Sequence, residues 1–385
     1  MRILLTTPTY PPFNSGLGNA VAQQADCLSK AGHKVVVATG GVTRSSREQA
    51  GIQVETFAVQ GANSWLQPIP GEVEGYLDFL RNHDGDVVLL NAWQNWATDL
   101  ALNHLEEIPG KHVLYSHCIS TNVFFATQPI RSAFRYLGWR PYWWRLSQRM
   151  KRLDGVLFLA MEGSDSRFDD MTLASRHGVA FRIVPNSLSS AATALLEKPV
   201  LQISARDRLM AVGSYQWQKG FDFILRAYAA SKARNRFPLH LYGQKFSAYN
   251  VILQDLVCQL GLQKGQVVFH EGVYGEPLLE AYSCSRLLLS GSHTECQPLA
   301  LIDANATGTP FVARGTGCIT KMPGGLAVHS VQDMTEQIDV LVKEDSTWQT
   351  LADAGREAAL NIYHPARTTQ MLLTALSELG CITDH

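Results

Sequence analysis

Short apolar runs return along this chain at intervals, each followed by a segment with helical spacing, and that alternation restricts the fold more than any other feature. In the first half the runs are Ile3–Thr7, Lys34–Thr39, Asp86–Leu90, Lys111–Ser116, Gly155–Ala160 and Phe181–Val184. Asn19–Lys30 separates the first two and puts Val21, Ala25 and Leu28 on one helical face, with Gly32 as its stop signal. The second half repeats the pattern with strands at Arg208–Gly213, Leu239–Gly243, Gln266–His270, Leu287–Ser290 and Thr309–Ala313. Helices are expected at Phe221–Lys232, at Leu299–Thr307 (closed by Gly308 and Pro310) and at Ala366–Leu379. Runs without polar alternation suit strands buried on both faces, so the expectation is α/β, with doubly wound parallel sheets. At 385 residues one core is too small a prospect. The small polar stretch Asn186–Thr193 suggests a division into two domains near 188–205.

A net charge of −1 with 17% charged residues gives no electrostatic footprint for nucleic acid. The seven cysteines form no Cys-x-x-Cys pair, and Cys27 and Cys258 sit in apolar patterns, which reads as reduced thiols in a cytoplasmic protein. Met1–Pro8 reads as a short strand rather than a signal peptide, and no apolar run approaches the ~18 residues of a membrane span.

Three loops carry the chemistry. Ser290-Gly-Ser-His-Thr-Glu295-Cys-Gln-Pro-Leu places Glu295 on a strand-to-helix turn, and Asp303 follows about one turn into the helix. Two acids at the carboxyl end of a parallel strand can hold sugar hydroxyls while the helix start faces a phosphate. Val212-Gly-Ser-Tyr-Gln-Trp-Gln-Lys219-Gly220 sets a lysine at the mouth of a strand–loop–helix unit, where its point charge can neutralise a diphosphate. Pro11–Asn19, with Gly16 and Gly18, opens a helix after the first strand. A dinucleotide fingerprint would need glycine where Val21 stands and an acid near Thr39–Gly40, so a dehydrogenase is disfavoured. Taken alone, the two acids are equally ordinary surface residues, and the lysine by itself reads better as one.

Together, Gly16/Gly18, Pro185–Asn186, Gly213 through Lys219–Gly220, Gly243, Gly272 and Glu295-x7-Asp303 resemble the family-4 retaining glycosyltransferases of the GT-B fold over nearly the whole chain. The resemblance implies two Rossmann-like domains facing a central cleft. Residues 1–190 would bind acceptor, with 366–385 packing back on them, and 205–365 would bind a nucleotide sugar. Lys219 would grip the donor diphosphate, Glu295 the sugar hydroxyls and Asp303 the ribose. Gly16, Gly18, Gly243 and Gly272–Val273 would line the donor, and His117 would lie near its sugar. Two departures stand out. Ser214 replaces a family arginine, so either Arg314 or Lys321 supplies the charge or the donor is bound more weakly. Cys296-Gln297-Pro298-Leu299 replaces Gly-Phe-Gly-Leu, and Pro298 has no N–H for a phosphate. The implied activity is a metal-independent hexosyltransferase that needs no cofactor. Its donor would be UDP-glucose or a similar nucleotide-diphosphate sugar. Its acceptor would be a glycan or lipid-linked saccharide, as in polysaccharide biosynthesis. A sugar-nucleotide epimerase or a non-catalytic binder on the same scaffold are the alternatives.

Asp84-Gly-Asp86 spells a metal-binding pair but precedes its strand, the wrong end for a ligand site, so a turn is expected there. Asn91, Trp93 and Asn95 follow a first-domain strand, where aromatics and amides suit an acceptor sugar; Trp93 and Trp96 at helical spacing equally suit a core. Residues 131–152 hold seven cations, six aromatics and no acid, a composition for peripheral contact with the inner face of a membrane, although Pro141 is expected to interrupt a single helix.

Overall fold

The computed structural model describes residues 1–13, 15–59, 69–119, 121–125, 128–160 and 166–382. They form two compact units. The first comprises Met1–Met161, Asp165–Ser187 and Pro365–His385; the main body of the second is Leu188–His364.

The first unit is built on β1 (Arg2–Thr7), β2 (Lys34–Gly40), β3 (Ser45–Gln49), β4 (Ile52–Phe57), β5 (Val87–Asn91), β6 (Lys111–Ser116), β7 (Gly155–Phe158) and β8 (Phe181–Ile183). Their order in the sheet is β3-β4-β2-β1-β5-β6-β7-β8, parallel except for β3 on the edge. Ile3, Leu4, Leu5 and the whole of β5 are buried, as strands covered on both faces must be. The helices are α1 (Gly16–Lys30), α2 (Val73–Asn82), α3 (Trp96–Asn103), α4 (Pro129–Met150) and α5 (Asp169–Arg176). α1 begins three residues earlier than its apolar face indicates, because Ser15 caps it by accepting from Gly18 N at 2.9 Å.

α4 corrects an expectation: it runs unbroken through Pro141. Proline deprives the Leu137 carbonyl of its partner, but Leu137 is 64% exposed, so water can reach that oxygen on the solvent side.

The second unit contains α6 (Ser190–Ala194), then β9 (Arg208–Val212), α7 (Phe221–Ala230), β10 (Leu239–Gly243), α8 (Ala248–Gln259), β11 (Val267–Glu271), α9 (Gly275–Cys284), β12 (Ser285–Ser290), α10 (Leu299–Ala306), β13 (Phe311–Arg314), β14 (Gly325–Val328), α11 (Val331–Lys343) and α12 (Asp345–Asn361). The six-stranded sheet is all parallel in the order β11-β10-β9-β12-β13-β14. Leu209, Leu241, Leu287, Leu289 and Val312 pack under α7 and α11 as one core. α10 stops at Gly308, whose φ of +62° a side chain would resist. The chain then returns to the first unit as α13 (Pro365–Glu378), which packs on α1.

Each sheet has one place where the winding reverses. In the first it falls between β1 and β5, in the second between β9 and β12. Loops leaving the carboxyl ends of such strands diverge and leave a crevice, where ligands of open α/β sheets bind.

Candidate active site

In the second unit the two diverging loops are Gly213–Gly220, after β9, and Gly291–Pro298, after β12. They bring Lys219 and Glu295 together: Nζ donates to Oε1 at 2.6 Å, with the side chains 33% and 16% exposed. Ser292 Oγ donates to the same carboxylate oxygen at 2.8 Å. Glycine makes this approach possible. Gly220 has φ +61°, and a Cβ on it would lie 2.0 Å from the Gly291 carbonyl oxygen. Gly213 leaves room for the stem of Lys219, whose Cγ stands 3.1 Å from where a Cβ would be.

A second layer supports the pair. His293 N donates to Gln218 O at 2.8 Å, tying one loop to the other. The rings of Trp217 and His293 stack with centroids 4.2 Å apart. Arg314, on β13, reaches His293 Nδ1 at 2.8 Å and lies over Phe223. Loss of hydration, together with the Arg314 charge, lowers the His293 pKa. Of the two cations expected to compensate for Ser214, Arg314 therefore borders this loop, while Lys321 is exposed in the turn Ile319–Lys321. Ser214 is half-buried, and its carbonyl accepts from Gln216 N at 2.7 Å.

Pro298 is the N-cap of α10, with φ −71° and ψ 125°, and its oxygen accepts from Leu301 N at 3.1 Å. Gln297 is buried. Asp303 is half-buried on α10; its carboxyl has no hydrogen bond or ion pair among the described residues, and burial pushes it up to about 7. At the neighbouring strand ends Gly272 N donates to Gly243 O at 2.9 Å, and Val273 follows directly, half-buried. Gly243 lies against Tyr215, leaving no room for a side chain.

In the first unit the reversal gathers the Pro8–Ser15 loop and the ends of β5 and β6. Gly18 is crowded by Thr9 O and Ser15 Oγ, whereas Gly16 has open space around it; Asn14 lies outside the described residues. His117 Nε2 is 3.3 Å from Asn91 Oδ1, and burial lowers its pKa to about 4, so at neutral pH it is an uncharged ring. Three non-glycine residues with positive φ flank it: Ala92 (+63°), Gln94 (+58°) and Cys118 (+70°). Such backbone costs about 1–3 kcal/mol per residue and concentrates at functional sites.

Asn91, Trp93 and Asn95 are all buried and bonded within the unit. Asn95 caps α3 through Thr98 N, and Trp93 Nε1 donates to Asp170 Oδ2 at 2.9 Å. Asp170 also accepts from Ser116 Oγ at 2.5 Å, and desolvation raises its pKa to about 6. Asp84 and Asp86 pair with Arg2 before β5. Among the described residues no group of three or more His, Cys, Asp or Glu side chains could hold a metal ion.

Sequence reasoning missed Ser292, Trp217 and His293 as supports of the Lys219–Glu295 pair, though all three lie inside the loops it singled out. It missed Asp170 altogether, since nothing in Asp169-Asp170 separates the buried acid from the solvated one.

These two sheets define the GT-B fold. The chain superposes on sucrose-phosphate synthase from Thermosynechococcus elongatus with a TM-score of 0.74 at 18% identity, over 99% of this chain and 100% of that one. It also superposes on HepE of Anabaena, solved with UDP-glucose (0.68, 16% identity, 98% and 100% covered). A third match is the α,α-trehalose 6-phosphate synthase of Burkholderia multivorans (0.69, 13%, 98% of both). Residues 206–344 match the family model described as Glycosyl transferases group 1, which takes in the Lys219 and Glu295 loops and Asp303. Residues 206–344 of the second unit are thus similar to group 1 glycosyl transferases, in a chain with the GT-B fold. No curated protein sequence matches the chain.

Proposed function

We propose that this protein is a retaining glycosyltransferase that moves a hexose from a nucleotide-diphosphate sugar, UDP-glucose or a near relative, to a glycan or lipid-linked saccharide. The observation that carries the reading is the Lys219–Glu295 contact at the reversal of the second sheet. An ammonium and a carboxylate there divide the donor between them. Lys219 takes the diphosphate and Glu295 the sugar hydroxyls. Asp303, with an unpaired carboxylate, takes the ribose. HepE, of the same fold, binds UDP-glucose, which favours that donor class.

As the glycosidic C–O bond breaks, negative charge grows on the leaving diphosphate and positive charge on the sugar ring. Lys219 and the α10 start meet the first, an electrostatic form of catalysis that spends nothing on reorganisation. The acceptor hydroxyl attacks from the departing face and its proton passes to the leaving phosphate oxygen, so no strong protein base is needed. His117, held neutral by burial, can accept or donate one hydrogen bond at the sugar but cannot supply charge. Arg314 is the cation we assign to the place left by Ser214. Synthesis of an envelope or extracellular polysaccharide, on the cytoplasmic side, is the setting this chemistry suits.

A thermal-shift panel of nucleotide sugars selects the donor, and an assay of UDP release with an acceptor, followed by the anomeric configuration of the product by NMR, tests the reaction. Acceptor-dependent UDP release with an α-linked product from an α-donor supports it. Interconversion of the donor sugar would make the protein an epimerase, and tight binding with neither outcome a binder.

A further inference from the structure

Helix α4 has a second apolar face, and we infer that this face docks the protein on an anionic lipid bilayer. The inference goes beyond the transfer reaction and does not depend on it. One side of α4 serves the core: Ser132, Tyr142, Leu146 and Met150 are buried, with Trp139 and Trp143 packed against the same cluster. Successive residues turn by about 100° around a helix, so Ile130, Phe134, Leu137, Pro141 and Trp144, spaced four and three apart, form a stripe on roughly the opposite side. Ile130 is 73% exposed, Phe134 73%, Leu137 64% and Trp144 72%. The stripe is about 21 Å long at a rise of ~1.5 Å per residue.

A helix on a globular surface turns polar side chains to water, and scattered apolar ones need no explanation. Five in register along one line do. The spacing would also suit the seam of a helix pair, and charge decides between the two occupants. Residues 131–152 contain seven cations and no acid, with Arg131, Arg145 and Lys151 exposed. Arg149 and Arg152 are paired with Asp99 and Glu106, but pairing α4 with α4 of a second copy would set Arg131, Arg145 and Lys151 against their like with no acid on the helix between them. An anionic bilayer accepts both features. Its acyl boundary takes Ile130, Phe134 and Leu137, its interface takes the Trp144 ring, and its phosphates take the guanidinium and ammonium groups. The helix is anchored from behind, Tyr142 donating to Asp99 Oδ1 at 2.8 Å and Arg149 pairing with Asp99 at 3.4 Å. The face is presented on a rigid element.

Sedimentation of the full chain with vesicles tests this. The vesicles contain phosphatidylglycerol mixed with phosphatidylcholine, or phosphatidylcholine alone, at about 0.15 M salt, where exposed charges farther apart than ~8 Å are screened. We expect at least tenfold stronger partition onto the anionic vesicles. The triple variant Phe134→Ser/Leu137→Ser/Trp144→Ser should lose at least tenfold of it while keeping wild-type melting temperature and UDP binding. Arg131→Gln/Arg145→Gln should weaken binding and flatten its salt dependence. The inference is overturned if the wild type ignores anionic vesicles, if it binds neutral ones equally well, or if the triple variant binds unchanged. An α4-dependent dimer in ultracentrifugation without vesicle binding would assign the stripe to a second copy instead. UDP release with a soluble acceptor, measured on the same preparations, keeps the two proposals apart: either can fail while the other stands.

Discussion

Replacing Glu295 by glutamine separates two things that the Lys219–Glu295 contact combines. Without donor, the lysine charge is already answered at 2.6 Å by a carboxylate, and a diphosphate must displace that partner before it gains the full ammonium. With the two side chains 33% and 16% exposed, the pair lies between solvated ion pairs, worth ~0.2–1 kcal/mol, and buried ones, whose rupture costs ~3–5. A net strength of about 1 kcal/mol corresponds to roughly a fivefold change in an equilibrium constant, since ~1.4 kcal/mol is tenfold. Glu295→Gln keeps the shape and removes the competing charge, so UDP itself should bind about fivefold more tightly. Transfer should nevertheless fall at least about tenfold, because the carboxylate no longer holds the sugar hydroxyls as charge develops. Lys219→Ala should lose on both counts, UDP affinity and turnover each falling at least about tenfold. Calorimetric titration with UDP and initial rates of UDP release at saturating donor give the two numbers for each variant. If Glu295→Gln weakens UDP as much as Lys219→Ala does, or turns over at the wild-type rate, the division of labour is refuted.

Gly220→Ala should destabilise the second unit by more than about 2 kcal/mol in urea, because it combines a positive-φ penalty with a Cβ placed 2.0 Å from Gly291 O; a change below about 0.5 would sink that account. Asp303 has its folded pKa raised to about 7, so the donor-free fold gives up stability as pH climbs from the ordinary carboxylate range through 7. Donor binding needs the ionised form, so affinity should drop as pH falls below 7, and Asp303→Asn should flatten that profile while raising donor-free stability at pH 8. Asp170→Leu orphans Trp93 Nε1 and Ser116 Oγ at once, which should cost about 1–3 kcal/mol per buried donor in urea unfolding of the first unit. Initial rates in EDTA should equal those without it; a loss restored by a divalent cation would contradict the metal-independent reading.

Apolar runs such as Val87–Leu90 and Leu287–Leu289 declare themselves as buried strands because both faces must be covered. The strands that the run pattern does not include lack a long unbroken apolar run, whether or not they are buried. β3 (Ser-Ser-Arg-Glu-Gln) is largely exposed on an edge of the first sheet, β4 interleaves Gln53 and Glu55 with its apolar residues although it is mostly buried, and β14 is four residues long on an edge of the second sheet. Cys258 is exposed although Leu256, Val257 and Leu260 stand near it in sequence, since α8 turns it outward. Pro141 misled for a related reason: whether a proline breaks a helix depends on whether water can reach the carbonyl it orphans, and that is a property of the surface.

Residue order alone determined the two α/β halves, the loops that carry Lys219 and Glu295, and the charge imbalance of 131–152, because periodicity, glycine placement and composition are local. Tertiary structure decided the strand orders, and with them the points where the winding reverses. It brought an ammonium to within 2.6 Å of a carboxylate 76 residues away, and it turned one face of α4 inward and the other to solvent. Those outcomes depend on which surfaces exclude water from one another, and no neighbour along the chain carries that information.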